Sequence, residues 1–122
     1  MSLTTTFKNL APNPNFAGVH DVEPQEILVL KDNGGVKIID VRGQDEFIGE
    51  LGHIPGADLI VLDTLPQNAP KVPRSEPVVI VCRSGGRSAK ACAFLQSQGY
   101  DNVVNMRGGM LLWNQLQFPT EK

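Results

Sequence analysis

A cysteine followed at once by a glycine-rich, arginine-containing stretch is the part of this chain best suited to chemistry. The stretch reads Cys82, Arg83, Ser84, Gly85, Gly86, Arg87 and Ser88. Two adjacent glycines let successive backbone N–H groups curl toward one point, which makes a binding site for an anion. Two guanidinium groups add positive charge beside the thiol. Because such surroundings favour the nucleophilic thiolate, we predict that Cys82 is largely ionised at neutral pH.

The segments on either side of this stretch indicate a strand before the cysteine and a helix after it. Residues 77–81 read PVVIV, and such a β-branched run is typical of a strand buried on both faces of a parallel sheet. Residues 88–98 favour a helix with Ala89, Cys92 and Leu95 on its apolar face, and Gly99 is suited to its C-terminal cap. The thiol is therefore predicted at the carboxyl end of a strand, where open α/β sheets bind ligands.

Strand and helix signals alternate along the rest of the chain. We predict further strands over residues 19–22, 36–41, 57–61 and 103–106, and helices over residues 24–32, 44–50 and 109–116. Residues 65–77 read as a proline-rich connection without periodicity, and residues 1–19 as an extended polar arm. The alternation predicts an α/β fold, in which helices cover both faces of a parallel sheet of about five strands.

Length, charge and composition restrict the classes of function. A chain of 122 residues with 41% hydrophobic content is expected to form one domain. With a net charge of −2 and arginines clustered at a turn, we expect no nucleic-acid partner. Neither a membrane span nor a signal peptide is indicated, so we expect a cytoplasmic protein without membrane contact. The two cysteines and two histidines lack metal-ligand spacing, and neither a metal nor a cofactor is expected.

Two charged residues at the end of an earlier strand are candidates for a supporting role. Asp40 and Arg42 reach the same sheet edge as Cys82 if the strands are parallel. They would either support the loop or contact the substrate. We favour structural ion pairing, with neighbours such as Glu46 or Glu50, because most such charges are paired or solvated.

Three other chemically notable residues are better explained by structure than by catalysis. His53 lies among glycines and Pro55, which indicates a shaped turn, and a preformed thiolate needs no general base. Trp113 is predicted in the core of an amphipathic helix. Cys92 is predicted as a packed core residue and not as a second thiol that resolves a disulfide.

Four motifs in a fixed order resemble the single-domain rhodaneses, which belong to the rhodanese-like sulfurtransferases. The family's loop, Cys-x-x-Gly-x-Arg, is matched by Cys82, Gly85 and Arg87. The remaining matches are DVR at 40–42, GHIPGA at 52–57, and a glycine pair at 108–109 followed by Trp113. The resemblance covers about residues 20–116. It implies a rhodanese domain over residues 20–118, preceded by an arm over residues 1–19.

The resemblance also implies an activity. Cys82 would take sulfane sulfur from thiosulfate or a similar donor, hold it as a persulfide, and pass it to cyanide, a small thiol or a protein thiol. The donor and the persulfide would be bound by Arg83, Ser84, Gly85, Gly86, Arg87 and Ser88. In this family the second arginine often braces the loop, so Arg87 has two possible roles.

Three alternatives remain open from the sequence. Phosphatases and arsenate reductases also use a loop between Cys and Arg, but their loops hold one residue more than the four present here. A non-enzymatic carrier or sensor of persulfide for a protein partner needs the same loop and differs only in turnover. An inactive interaction module is disfavoured because the nucleophile is present.

Overall fold

The computed structural model describes residues 6–122, and the first five residues of the predicted arm lie outside this range. The strands are β1 (Ala11–Pro12), β2 (His20–Val22), β3 (Lys37–Asp40), β4 (Asp58–Leu59), β5 (Val78–Val81) and β6 (Val103–Met106). The α-helices are α1 (Pro24–Asp32), α2 (Gln44–Phe47), α3 (Leu65–Asn68), α4 (Gly86–Ser97) and α5 (Gly109–Gln115). Among the described residues, none of these helices is long and apolar enough to cross a bilayer.

The strands form one sheet in the order β1-β2-β6-β5-β3-β4. The β1–β2 pair is antiparallel, and every other pair is parallel. The predicted α/β fold with a parallel sheet is therefore confirmed. The additional strand is β1, which lies inside the segment predicted as an extended arm. It escaped prediction because it has only two residues, one of them Pro12, and exists through its pairing with the edge of β2.

Helices cover both faces of the sheet, as the alternation of elements predicts. Alternate residues of β5 point to opposite faces, so that Val78, Ile80 and the following Cys82 join one buried cluster while Val79 and Val81 join another. The first cluster contains the apolar face of α4, with Ala89, Cys92 and Leu95. The second contains Ile27 of α1 and Met110 and Trp113 of α5. The predicted core positions of Cys92 and Trp113 are thus confirmed.

Several segments differ from their predictions, and the strand predicted over residues 57–61 is confined to Asp58–Leu59. The helix predicted over residues 44–50 ends at Phe47. The connection over residues 65–77 contains α3 and a 3-10 turn at Ala69–Lys71. Both helices have four residues, so they are too short to show a helical hydrophobic period.

Candidate active site

The candidate site begins where β5 leaves the sheet. This strand lies between β6 and β3, and its four residues are all buried. The chain then turns through Gly85, whose φ of +107° lies in the left-handed region that favours glycine. Helix α4 starts at the next residue. The sequence dictates this geometry, because an apolar strand cannot continue through the polar Arg-Ser-Gly-Gly segment.

Two hydrogen-bond donors lie against the sulfur of Cys82, one in this turn and one in the first turn of α4. The Gly85 amide donates to Sγ at 3.1 Å, and the Ser88 hydroxyl lies 3.2 Å from Sγ. Cys82 itself is 1% exposed, so these two donors replace water around the sulfur. Of the loop residues predicted to bind the persulfide, Gly85 and Ser88 thus contact the Cys82 sulfur directly. Ser84 and Gly86 are exposed on the rim of the turn.

The start of α5 holds the backbone of the loop. The amide of Met110 donates to the carbonyl oxygen of Cys82 at 2.9 Å, and the amide of Leu111 donates to that of Arg83 at 3.0 Å. This approach requires Gly109, because a Cβ there would lie 2.5 Å from the carbonyl oxygens of Cys82 and Arg83. The glycine pair at 108–109 therefore has a physical role, which is to let one helix end dock on the active turn.

The two loop arginines have different surroundings. Arg87 forms a two-point ion pair with Glu46 of α2, with N–O distances of 2.7 and 2.8 Å. The hydrogen bonds from Arg87 lower the pKa of Glu46 to about 2, and those bonds raise the pKa of Arg87. Arg83 is exposed and forms no ion pair within residues 6–122. Arg87 therefore braces the turn, whereas the charge of Arg83 is free to meet an anion.

Asp40 and Arg42 pair with each other and not with the neighbours that the sequence suggested. The Arg42 Nη2 donates to Asp40 Oδ2 at 2.7 Å and to the Gly52 carbonyl at 2.7 Å. Both residues are 1% exposed. The pair ties the end of β3 to the turn that contains His53. Three further bonds join the pair, two from the Arg42 Nε and one from its backbone amide.

His53 is held by structural contacts. Its Nδ1 lies 2.7 Å from the Phe47 carbonyl oxygen, and its ring stacks on the Phe47 ring with 3.7 Å between centroids. Its backbone pairs with Glu121. These contacts agree with the structural role predicted for the turn. Cys92 is fully buried in α4, and this burial raises the pKa of its thiol, so it is a poor nucleophile.

A pocket of about 410 Å³ opens beside the loop. It is lined by Arg42, Asp45, Glu46, Gly49, Glu50, Leu51, Arg83 and Leu111. It lies between α2, the loop and α5, and its wall carries two guanidinium groups, one of them from Arg83, together with three carboxyl groups. Within residues 6–122, no group of three or more His, Cys, Asp or Glu side chains is arranged to hold a metal ion.

Sequence reasoning missed two features of the site. One is the Glu46–Arg87 pair, whose members are 41 positions apart. The other is Asn105, a buried residue of β6 whose side chain reaches Ser88. A polar residue inside the apolar run of residues 103–106 was the available signal, since a buried amide needs polar partners.

Comparisons with known proteins agree with this arrangement. Residues 23–116 match the family model of the rhodanese-like domain. A sulfurtransferase of Allochromatium vinosum is 39% identical over 90 residues, which cover 74% of this chain and 82% of that protein. The thiosulfate sulfurtransferase GlpE of Ectopseudomonas mendocina is 32% identical over 100 residues, covering 82% of this chain and 88% of the relative.

A solved structure extends the likeness to three dimensions. The human single-domain sulfurtransferase is 26% identical, with a TM-score of 0.69, over 78% of this chain and 95% of that one. The match in sequence covers the strand, the turn and both helices that build the candidate site. The chain therefore belongs to the rhodanese-like family of sulfurtransferases and has its fold.

Proposed function

We propose that the protein transfers sulfane sulfur from thiosulfate or a similar donor to a nucleophilic acceptor through a persulfide on Cys82. The observation that carries this proposal is the environment of the sulfur, which ends a central strand and accepts hydrogen bonds from Gly85 and Ser88. Both donors stabilise a sulfur that bears negative charge. Relatives named thiosulfate sulfurtransferase support the choice of donor.

In the first step the Cys82 thiolate attacks the outer sulfur of thiosulfate. A new sulfur–sulfur bond forms to Sγ, the sulfur–sulfur bond of thiosulfate breaks, and its electron pair leaves on sulfite. The negative charge then sits on the outer sulfur of the persulfide. Backbone N–H groups of residues 83–88 stabilise that charge as an oxyanion hole stabilises an oxygen.

In the second step an acceptor attacks the outer sulfur. Cyanide or a thiolate forms the new bond, and the electron pair of the broken sulfur–sulfur bond returns to Sγ, which restores the thiolate. In each step the attacking nucleophile supplies the electron pair of the new bond, so the cycle needs no oxidant, reductant or cofactor. The partners are small donors and acceptors, with a protein thiol as an acceptor of the same chemistry.

The two arginines of the loop have different roles in this proposal. Arg83, exposed in the pocket wall, attracts the doubly charged donor by electrostatic interaction. Arg87, paired with Glu46, keeps the turn in the geometry that holds the sulfur. The buried Asp40–Arg42 pair fixes the wall of the pocket and does not contact the donor.

The test compares sulfur transfer in wild-type protein with that in two matched cysteine variants. With thiosulfate and cyanide, we expect thiocyanate formation by the wild type, none by Cys82→Ser, and retained activity in Cys92→Ser. Both variants should fold, because the loop is held by backbone hydrogen bonds and Cys92→Ser costs only the burial of one hydroxyl. Equal loss of turnover in both folded variants would contradict a single nucleophile.

A second substrate separates this function from its rivals. The wild type should not hydrolyse an aryl phosphate at a rate that approaches thiocyanate formation. Such hydrolysis, lost in Cys82→Ser, would establish a phosphatase instead. Rapid loading of one sulfur without multiple turnover would identify a carrier and overturn the enzymatic part of the proposal.

A further inference from the structure

A chain of hydrogen-bonded side chains leads from the reactive sulfur into the sheet. Ser88 Oγ lies 3.2 Å from Cys82 Sγ and also forms a hydrogen bond with Asn105 Oδ1. Asn105 Nδ2 in turn donates to Asp21 Oδ1 at 2.9 Å. Ser88, Asn105 and Cys82 are at most 1% exposed, and Asp21 is 7% exposed. Water is thus almost excluded from every link of this chain.

The strand register fixes the orientation of the Asn105 amide. Asp21 of β2 lies opposite Asn105 of β6 in the parallel pairing. A carboxylate offers only acceptors, so the NH₂ group of Asn105 faces Asp21 and its oxygen faces Ser88. A second amide, Asn13 Nδ2, also donates to Asp21 Oδ1 at 2.9 Å. The oxygen side of Asn105 is therefore held toward Ser88 by the sheet itself.

The Ser88 hydroxyl has one hydrogen and two main acceptors for it. One is the sulfur of Cys82 and the other is the oxygen of Asn105. A hydroxyl hydrogen rotates freely to the better acceptor, and a charged acceptor binds it more strongly than a neutral one. The carbonyl of Gly85, at 3.2 Å, is a longer alternative. The charge on the sulfur therefore determines whether the Ser88 hydroxyl donates to Sγ or to the Asn105 oxygen.

We propose that Asn105, oriented by Asp21, is a positioning residue that accepts the Ser88 hydrogen bond whenever Cys82 carries a persulfide. The inference rests on the proposed function. As a thiolate, Sγ bears the full negative charge and takes the Ser88 hydrogen. After the first transfer the charge lies on the outer sulfur, and Ser88 turns to Asn105. Only the hydroxyl hydrogen rotates, and no proton enters or leaves the protein.

This exchange supports both states of the sulfur. Without the Asn105 oxygen, Ser88 would donate to Sγ at all times. The thiolate would keep this hydrogen bond, whereas the neutral thiol and the persulfide, in which Ser88 donates to Asn105, would lose a partner. The expected consequence is a thiolate that forms more easily and loads less sulfur. Asn105→Leu tests this, because leucine has a similar branched shape and no acceptor.

The first measurement is the pH dependence of Cys82 alkylation by iodoacetamide, followed by intact mass in the unloaded protein. One neutral hydrogen bond corresponds to a shift of roughly half a pH unit to one unit, so we expect Asn105→Leu to lower the midpoint by about that amount. Sulfur loading at equilibrium with thiosulfate and sulfite should fall by about two- to tenfold.

The charged and titratable groups around these hydrogen-bonded side chains are the same in the wild type and in Asn105→Leu. They are Arg83 in the loop, Arg87 and Cys92 on α4, Asp40 on β3, Asp21 on β2 and Arg107 after β6. Because Asn105→Leu also removes the hydrogen bond to Asp21, a shift in the midpoint is assigned to Ser88 only when it depends on the Ser88 hydroxyl. The decisive control is Ser88→Ala, in which Asn105→Leu should no longer move the midpoint. An equal shift with and without Ser88, or no shift in either, would overturn the proposal.

A second measurement avoids Asn105→Leu and uses only the wild type and Ser88→Ala, which is a small change in the core. In ¹⁵N-labelled wild type, loading with thiosulfate should shift the side-chain amide resonances of Asn105, and Ser88→Ala should remove most of that shift. An unchanged response in Ser88→Ala would overturn the proposal even if Asn105→Leu failed to fold. If thiosulfate leaves no sulfur on Cys82, the proposed function fails. The alkylation curves still test whether the effect of Asn105 depends on Ser88.

Discussion

Replacing Glu46 by glutamine removes one charge from the ion pair that braces the active turn through Arg87. The change keeps the shape of the side chain, and its effect is expected to depend on pH. The hydrogen bonds from Arg87 lower the pKa of Glu46 from about 4.5 to about 2. A lowered pKa means that the folded state favours the carboxylate, so the pair stabilises the fold above pH 4.5 and loses its effect as the pH falls toward 2.

The size of the effect follows from the exposure of the pair. The lowered pKa alone corresponds to roughly 3 kcal/mol. However, the side chains of Arg87 and Glu46 are 41% and 34% exposed, and solvent-screened pairs contribute about 1 kcal/mol or less. We therefore expect Glu46→Gln to lower the free energy of unfolding by about 1 kcal/mol at pH 7, and by about half of that or less near pH 3.

Urea unfolding measures this difference. The single tryptophan, Trp113, is fully buried, so its fluorescence reports unfolding directly. Glu50→Gln is the matched control, because Glu50 lines the same pocket and forms no ion pair among the described residues. Curves recorded from pH 7 to pH 3 should show a loss for Glu46→Gln that shrinks with acid, and almost none for Glu50→Gln. A loss that stays constant with pH would refute the assignment to the ion pair.

Three further substitutions test other parts of the site. Gly109→Ala should lower the free energy of unfolding by about 2 to 4 kcal/mol and slow sulfur transfer, because it adds a backbone clash to the strain of a positive φ. Gly34 also has a positive φ but lies in open space, so Gly34→Ala should lower that free energy by about 1 to 2 kcal/mol in calorimetry and leave the kinetics unchanged. Arg83→Ala should lower kcat/KM for thiosulfate about tenfold and leave a neutral trisulfide donor almost unaffected, whereas equal slowing of both donors would make Arg83 structural. Arg42→Met leaves Asp40 buried without its partner and should cost about 3 to 5 kcal/mol in urea unfolding; a loss under 1 kcal/mol would show that the pair is dispensable.

The strand and helix on either side of Cys82 could be predicted because local signals agree there. Residues 77–81 are continuously apolar, the next residues are polar and glycine-rich, and residues 88–98 favour a helix. Strand, turn and helix therefore follow from nearest neighbours along the chain, and the structure has β5 and α4 in these places. Strand β6 was predicted with its observed bounds for the same reason.

The parts that escaped prediction depend on partners far away in sequence. Strand β1 exists only through its pairing with β2, and α3 is too short for a hydrophobic period. Glu46 meets Arg87 across 41 positions, and Asn105 meets Asp21 across 84. A single sequence gives the types of these side chains but not their distances, which only the sheet order and register determine. The strand and the turn around Cys82 were thus predictable, and the contacts that hold them were not.

The most direct test of the account is the mass of the protein before and after thiosulfate. Incubation with thiosulfate, removal of the excess and intact mass spectrometry should show the gain of one sulfur atom, mapped by peptide analysis to Cys82. Added cyanide should return the mass to its starting value as thiocyanate appears. The adduct should form in Cys92→Ser and be absent in Cys82→Ser. A folded wild-type protein that gains no sulfur, or a sulfur that remains bound in Cys82→Ser, would contradict a persulfide on Cys82.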